Sequence, residues 1–222
     1  TGNFHEGNAR MYTDYMLMTA AKNVTRDVSL VFDFIERPYS PVRFKELLVS
    51  PNEMKQKFSR LINEEIKNKQ AGKPAYILIK INHITDPVMV KKLYEASSHG
   101  VRIDLLVRGN CSLITGVPGV SDTIRINGII DRYLEHSRIF IFANGGDEKM
   151  FIGSADWMPR NLDNRVEVIA PVYDPEIKAD LKRVVEYGLK DTLQGRVVDG
   201  TGENRPWISE DKTAFRSQEE LY

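Results

Sequence analysis

Apolar and polar positions alternate with two different periods along this chain. Between Ser50 and Lys69, the residues Met54, Phe58, Leu61, Ile62 and Ile66 fall three or four apart. That spacing is the stripe of an amphipathic helix, and Ser50 is placed to cap it. Residues 44–49, 76–81 and 101–107 are short apolar runs that read as strands. Asp86 before Pro87 opens another helix, and Gly100 after His99 closes it. The order strand–helix–strand–helix–strand predicts an α/β layer with parallel strands.

The flanking segments read differently. Residues 10–19 are rich in aromatic and β-branched side chains and predict a strand. Asn23 or Thr25 then caps a helix with Val24, Val28, Val31, Phe32 and Ile35 on one face. Pro38 and Pro41 break the chain, and residues 37–41 are the expected domain boundary. Beyond 107 the elements shorten. Strands are predicted at 123–127, 132–136, 138–143, 149–153 and 166–170, with a hairpin turn at Asn144-Gly145-Gly146-Asp147. Asp174-Pro175 starts a last helix to about residue 193. Residues 194–206 are polar with three glycines and read as irregular. The charged segment 209–222 reads as a peripheral helix or a frayed end.

Composition narrows the class. A chain of 222 residues is one large domain, or one domain and a piece of another. With 41% apolar and 28% charged residues it has the composition of a soluble globular protein. The formal net charge is zero, so no global field draws nucleic acid or anionic lipid, and an anionic substrate needs a local cluster of donors. Cys111 is alone, which excludes an internal disulfide and suits a small, partly buried apolar role. No apolar run approaches the roughly 20 residues of a membrane-spanning helix. No signal peptide opens the chain, and Thr1-Gly2-Asn3-Phe4 reads as a cut inside a longer protein.

Candidate chemistry is densest between Asp131 and Arg160. His136 and Arg138 stand two apart on a predicted strand, so both side chains share a face. After a hairpin comes Gly153-Ser154-Ala155-Asp156, a small turn with a hydroxyl and a carboxylate. A cation beside a histidine suits phosphoryl chemistry: the cation offsets phosphate charge, and the imidazole attacks phosphorus or moves a proton. Ser154 and the turn amides would hold oxygens, Asp156 would orient the imidazole, and Gly153 would allow close backbone approach. The same spacing also fits an edge strand with a solvated His and Arg. Thr1-Gly2-Asn3 looks like a partial copy of the turn. Arg108 follows the strand at 103–107, where parallel sheets place ligands. It reads equally as a surface ion pair. Tyr12 suits stacking on a base or an ordinary core position. His5, His83 and His99 lack partners at metal-ligand spacing and read as structural, Trp157 and Trp207 as packing residues. No glycine-rich phosphate loop is present.

These residues add up to a resemblance. Asp-Arg-Tyr-Leu-Glu-His-Ser-Arg (131–138), continuing to the Asn-Gly-Gly-Asp turn, and Gly-Ser-Ala-Asp-Trp-Met (153–158) closely resemble the C-terminal region of polyphosphate kinases of the first family. Thr-Gly-Asn-Phe (1–4), Ala-Arg-Met-Tyr-Thr-Asp-Tyr (9–15) and Leu-Leu-Val-Arg-Gly-Asn-Cys-Ser-Leu (105–113) match it too. The matches run in order from residue 1 to about 195. That family is similar in fold to the phospholipase D superfamily, which pairs two halves, each with a His-x-Lys-type motif and a Gly-Ser-x-Asn-like turn. His136-Ser137-Arg138 would be the second motif, with Arg for Lys. Gly153–Asp156 would be the second turn, with Asp for Asn.

The resemblance implies an α/β fold, a phospholipase-D-like mixed sheet flanked by helices. Residues 1–42 would end a first such domain, and 43–222 would form a second with a polar tail. It implies reversible transfer of the ATP terminal phosphate to polyphosphate through a phosphohistidine upstream of this sequence, so the chain alone is expected to be inactive. Tyr12 would lie against the base, and Arg108 and His136 would contact phosphates. His136 with Arg138 would be the catalytic pair, and Asn3, Ser154 and Asp156 would support the phosphate site. Mg2+ would accompany ATP or ADP, with its ligands upstream and none here. The intact enzyme would be a cytoplasmic homo-oligomer, with peripheral inner-membrane contact a further expectation, and no nucleic acid would bind. Two alternatives stay open: a phospholipase-D-like phosphodiesterase or nuclease, and a non-catalytic polyanion-binding module.

Overall fold

A computed structural model describes residues 5–39, 41–208 and 213–222. Asn3 therefore lies outside the described residues. The chain begins with α1 (Glu6–Ala9), β1 (Tyr12–Thr13) and α2 (Lys22–Glu36). Then come β2 (Leu48–Ser50), α3 (Met54–Gln70), β3 (Tyr76–Ile81), α4 (Pro87–Ser98), β4 (Arg102–Val107) and β5 (Ile124–Ile129). The rest holds β6 (Leu134–Glu135), β7 (Ile139–Phe142), β8 (Lys149–Gly153), β9 (Glu167–Val172), α5 (Pro175–Lys190), β10 (Gly195–Val197) and α6 (Ser217–Leu221).

One mixed eight-stranded sheet has the order β10-β5-β4-β3-β7-β8-β9-β2. Its centre, β5-β4-β3, is parallel, as the strand–helix alternation predicts, and every other pairing is antiparallel. Period two divides the strands between two cores. Ile77, Ile79, Ile103, Leu105, Phe140 and Phe142 face α3 and α4, packing on Met54, Phe58, Ile62, Met89 and Leu93. Leu78, Leu106, Ile139, Ile141, Met150 and Ile152 face α5, packing on Leu181, Val184 and Val185. Each such fully buried side chain contributes about 1.5–3 kcal/mol of transfer free energy. The architecture is a mixed sheet flanked by helices.

Several expectations need correction. Residues 10–19 are not one strand: only Tyr12 and Thr13 pair, in parallel with Leu134 and Glu135, as a separate two-stranded sheet. Ser50 does not cap α3, because its hydroxyl donates to Arg165 O at 2.9 Å and accepts from Glu167 N at 3.1 Å. Neither Asn23 nor Thr25 caps α2, which begins at Lys22; the Thr25 hydroxyl turns back to Ala21 O at 3.2 Å. Val28, Phe32 and Ile35 are exposed on α2, whereas Val24, Val31 and Phe34 are buried against Phe44, Leu47 and Val49. Asp27, fully buried on that same face, accepts from the backbone of Glu46 and Leu47 at 2.7 and 3.1 Å. The glycine-rich stretch after 194 is not wholly irregular, since Gly195–Val197 pairs with β5. Of the two readings of the final segment, the helix holds: Ser217–Leu221 forms α6 beside α5, with Ser217 and Gln218 buried.

Candidate active site

The antiparallel return of β7 along β3 creates the site. Ile139 is in register with Lys80 and with Ile152, so residues 136–138 and 153–156 meet at the carboxyl end of β3. Arg108 arrives at the same end because β4 runs parallel to β3. Ligands of open α/β sheets bind outside these strand ends. Gly153 lets β9 close in: a Cβ there would lie 2.3 Å from Val168 O and 2.6 Å from the Ile169 Cα.

His136 does not lie on the predicted strand. β6 stops at Glu135 and β7 starts at Ile139, so residues 136–138 bridge the two. Asp14 brings both carboxylate oxygens to 3.0 Å from His136 Nδ1. Arg138 Nη1 is 3.3 Å from Nδ1 and 3.1 Å from Nε2 of the same ring. One nitrogen that close to both ring nitrogens lies over the ring rather than in its plane. Nη1 is fixed there by donating to His136 O at 2.8 Å. The Tyr12 ring packs against the imidazole with centroids 4.8 Å apart.

Asp156 does not orient the imidazole. It takes Arg138 in a two-pronged pair, Nε to Oδ1 and Nη2 to Oδ2, both at 3.2 Å. Its Oδ1 also accepts from Asn82 N at 3.0 Å, and Asn82 Oδ1 accepts from Arg108 Nε at 3.0 Å. A continuous polar chain thus runs Arg108, Asn82, Asp156, Arg138, His136, Asp14. Burial lowers the Arg108 pKa, and neighbouring Arg138 lowers it further. Ser154 is engaged with β9: its hydroxyl accepts from Val168 N at 3.2 Å. Trp157 is a core residue, stacked on Phe140.

A second layer lies beneath His136, and sequence reasoning missed it. Lys80 is buried; its Nζ donates to Ser137 Oγ at 2.5 Å and pairs with Glu135 Oε2 at 2.8 Å. Glu135 also accepts from Thr13 Oγ1 at 3.1 Å and from Gln218 Nε2 at 2.6 Å. Burial works against this carboxylate, but Lys80, Gln218 and Thr13 outweigh it and hold its pKa below the usual carboxylate range. Lys80 sits in an apolar strand run, and nothing in that local pattern marks it as a partner of Glu135. Among the described residues no group of three or more His, Cys, Asp or Glu side chains converges to hold a metal. The carboxylates of this cluster are each engaged: Asp14 by the imidazole, Asp156 by Arg138 and Glu135 by Lys80.

Residues 47–218 match the family model for polyphosphate kinase C-terminal domain 2, and residues 1–41 match the model for C-terminal domain 1. The chain belongs to the polyphosphate kinase family. It is 46% identical to the polyphosphate kinase of Escherichia coli over 222 residues, all of this chain and 32% of that one. Against the Vibrio parahaemolyticus polyphosphate kinase the identity is 45%, with the same coverage. The crystal structure of the Porphyromonas gingivalis polyphosphate kinase superposes with a TM-score of 0.93 at 41% identity, covering 100% of this chain and 34% of that chain. The chain therefore spans about a third of the length of the polyphosphate kinases it matches. No helix among the described residues is long and apolar enough to cross a membrane.

Proposed function

We propose that this chain supplies the nucleotide- and phosphate-binding half of an ATP–polyphosphate phosphotransferase. The observation that carries the reading is the His136 imidazole, held between the Asp14 carboxylate and the Arg138 guanidinium at the sheet end shared with Arg108. On this reading a histidine outside this sequence attacks the terminal phosphorus of ATP, the bond to the ADP oxygen breaks, and the phosphoryl group then passes to polyphosphate. His136 contacts the phosphates and moves a proton at Nε2, while Asp14 fixes the ring through Nδ1. Arg108 and Arg138 offset phosphate charge. Tyr12 lies against the base. Asp156 acts at one remove, by aiming Arg138. ATP is expected to bind with Mg2+, whose chemistry is to offset charge on the transferring phosphoryl group.

The test is steady-state kinetics in the full-length enzyme. Arg108→Ala is expected to raise the KM for ATP about ten-fold or more, the scale of one lost charge-assisted hydrogen bond. Unchanged KM and kcat would remove Arg108 from the site.

A further inference from the structure

His83 lies just beyond β3 and has no part in the function proposed for His136 and the arginines. Its ring is nevertheless held in a defined pose. Asn110 N donates to its Nδ1 at 2.9 Å. That bond occupies the Nδ1 lone pair, so the proton of the neutral ring sits on Nε2. The flanking backbone is pinned as well: His83 N faces Asp156 Oδ1 at 3.4 Å, and Trp157 N donates to His83 O at 3.1 Å. Gly109 provides the room, since a Cβ there would lie 2.4 Å from His83 Cε1. Burial lowers the His83 pKa; Arg108, Arg138 and Arg160 lower it further, and Asp156 opposes them. The ring thus stands neutral among the cations of the site. Among the described residues, no group accepts a hydrogen bond from Nε2.

We propose that His83 Nε2–H donates a hydrogen bond to a non-bridging phosphate oxygen bound at the Arg108–Arg138 site. This inference rests on the phosphate-handling reading of that site. The ligand is a phosphoanhydride chain, belonging either to the nucleotide or to polyphosphate. A neutral donor suits this position. Arg108 is already disfavoured as a cation by burial and by Arg138, and a third positive charge would add repulsion that an imidazole N–H avoids.

Two substitutions in the full-length enzyme separate this role from a merely structural one. His83→Asn keeps an acceptor where Nδ1 stands and removes the Nε2 donor. His83→Gln places an amide donor near Nε2 and gives up the acceptor for Asn110. The asparagine variant is expected to fold with a wild-type thermal midpoint. It should raise the KM for ATP, for polyphosphate or for both about ten-fold, and weaken calorimetric binding of inorganic tripolyphosphate by a similar factor. The glutamine variant should recover part of the loss. A change confined to the KM for ATP assigns the oxygen to the nucleotide, and one confined to polyphosphate assigns it to the polymer. Wild-type KM values and tripolyphosphate affinity in His83→Asn would overturn the proposal. So would a loss seen only in His83→Gln, since that would tie the effect to the Asn110 bond. If tripolyphosphate binding depends on His83 while the wild-type enzyme transfers no phosphate from ATP, the phosphotransferase reading fails and His83 stands.

Discussion

Asp14 reaches His136 from the segment after β1, and Arg138 lies over the same ring. The two contacts do different work. The carboxylate fixes the imidazole through Nδ1, while the guanidinium holds positive charge over the ring face, where the proposed function has it meet phosphate oxygens. Asp14→Asn keeps the size and an acceptor but removes the charge. In the full-length enzyme it is expected to lower kcat about 100-fold, the scale of positioned proton transfer. A kcat within a factor of two of wild type would show that Asp14 does not serve the chemistry. Spacing could place His136 and Arg138 side by side. It could not find Asp14, because the pair is separated by 122 residues and forms only when β1 joins β6. For the same reason Asp156, close by in sequence, looks like the partner that Asp14 turns out to be.

Among the elements, α6 is the one whose place was hidden. Its charged sequence reads as a peripheral helix or a frayed end, yet Gln218 clamps the strand that leads into His136. Its Oε1 accepts from Tyr133 N at 2.8 Å, and its Nε2 donates to Tyr133 O at 2.8 Å and to Glu135 at 2.6 Å. Arg216 pairs with Asp131 at 2.7 Å, and Ser217 donates to the buried Asp191. A single amide reads as polar surface until the partner strand is in place. Gln218→Ala leaves Tyr133 and Glu135 short of buried partners and is expected to cost about 1–3 kcal/mol in urea unfolding. A change below about 0.5 kcal/mol would mean that α6 does not support the strand. By contrast β3, β8 and the buried stripe of α3 were legible, because a strand buried on both faces leaves a short apolar run and a helix buried on one face leaves a local period. On α2 the same periodicity misleads, since Asp27 is buried there to hold the loop backbone while Phe32 is exposed.

At the scale of the molecule, a chain with no net charge gathers Arg108, Arg138 and His136 at one end of an eight-stranded sheet. The topology does this by running β7 back along β3, which sets residues far apart in sequence on one rim. The central parallel strands were readable from their alternation with helices. The antiparallel return was not, because short apolar runs do not declare their partners. In the proposed mechanism this rim binds and orients phosphate, and the attacking histidine is supplied from outside this sequence. The most direct measurement is peptide mapping of full-length enzyme labelled with ATP carrying labelled terminal phosphate, quenched under conditions that preserve phosphohistidine. Acid-labile label is expected on a histidine outside the 222 residues, with reduced labelling in His136→Ala. Label on His136 itself would contradict the mechanism.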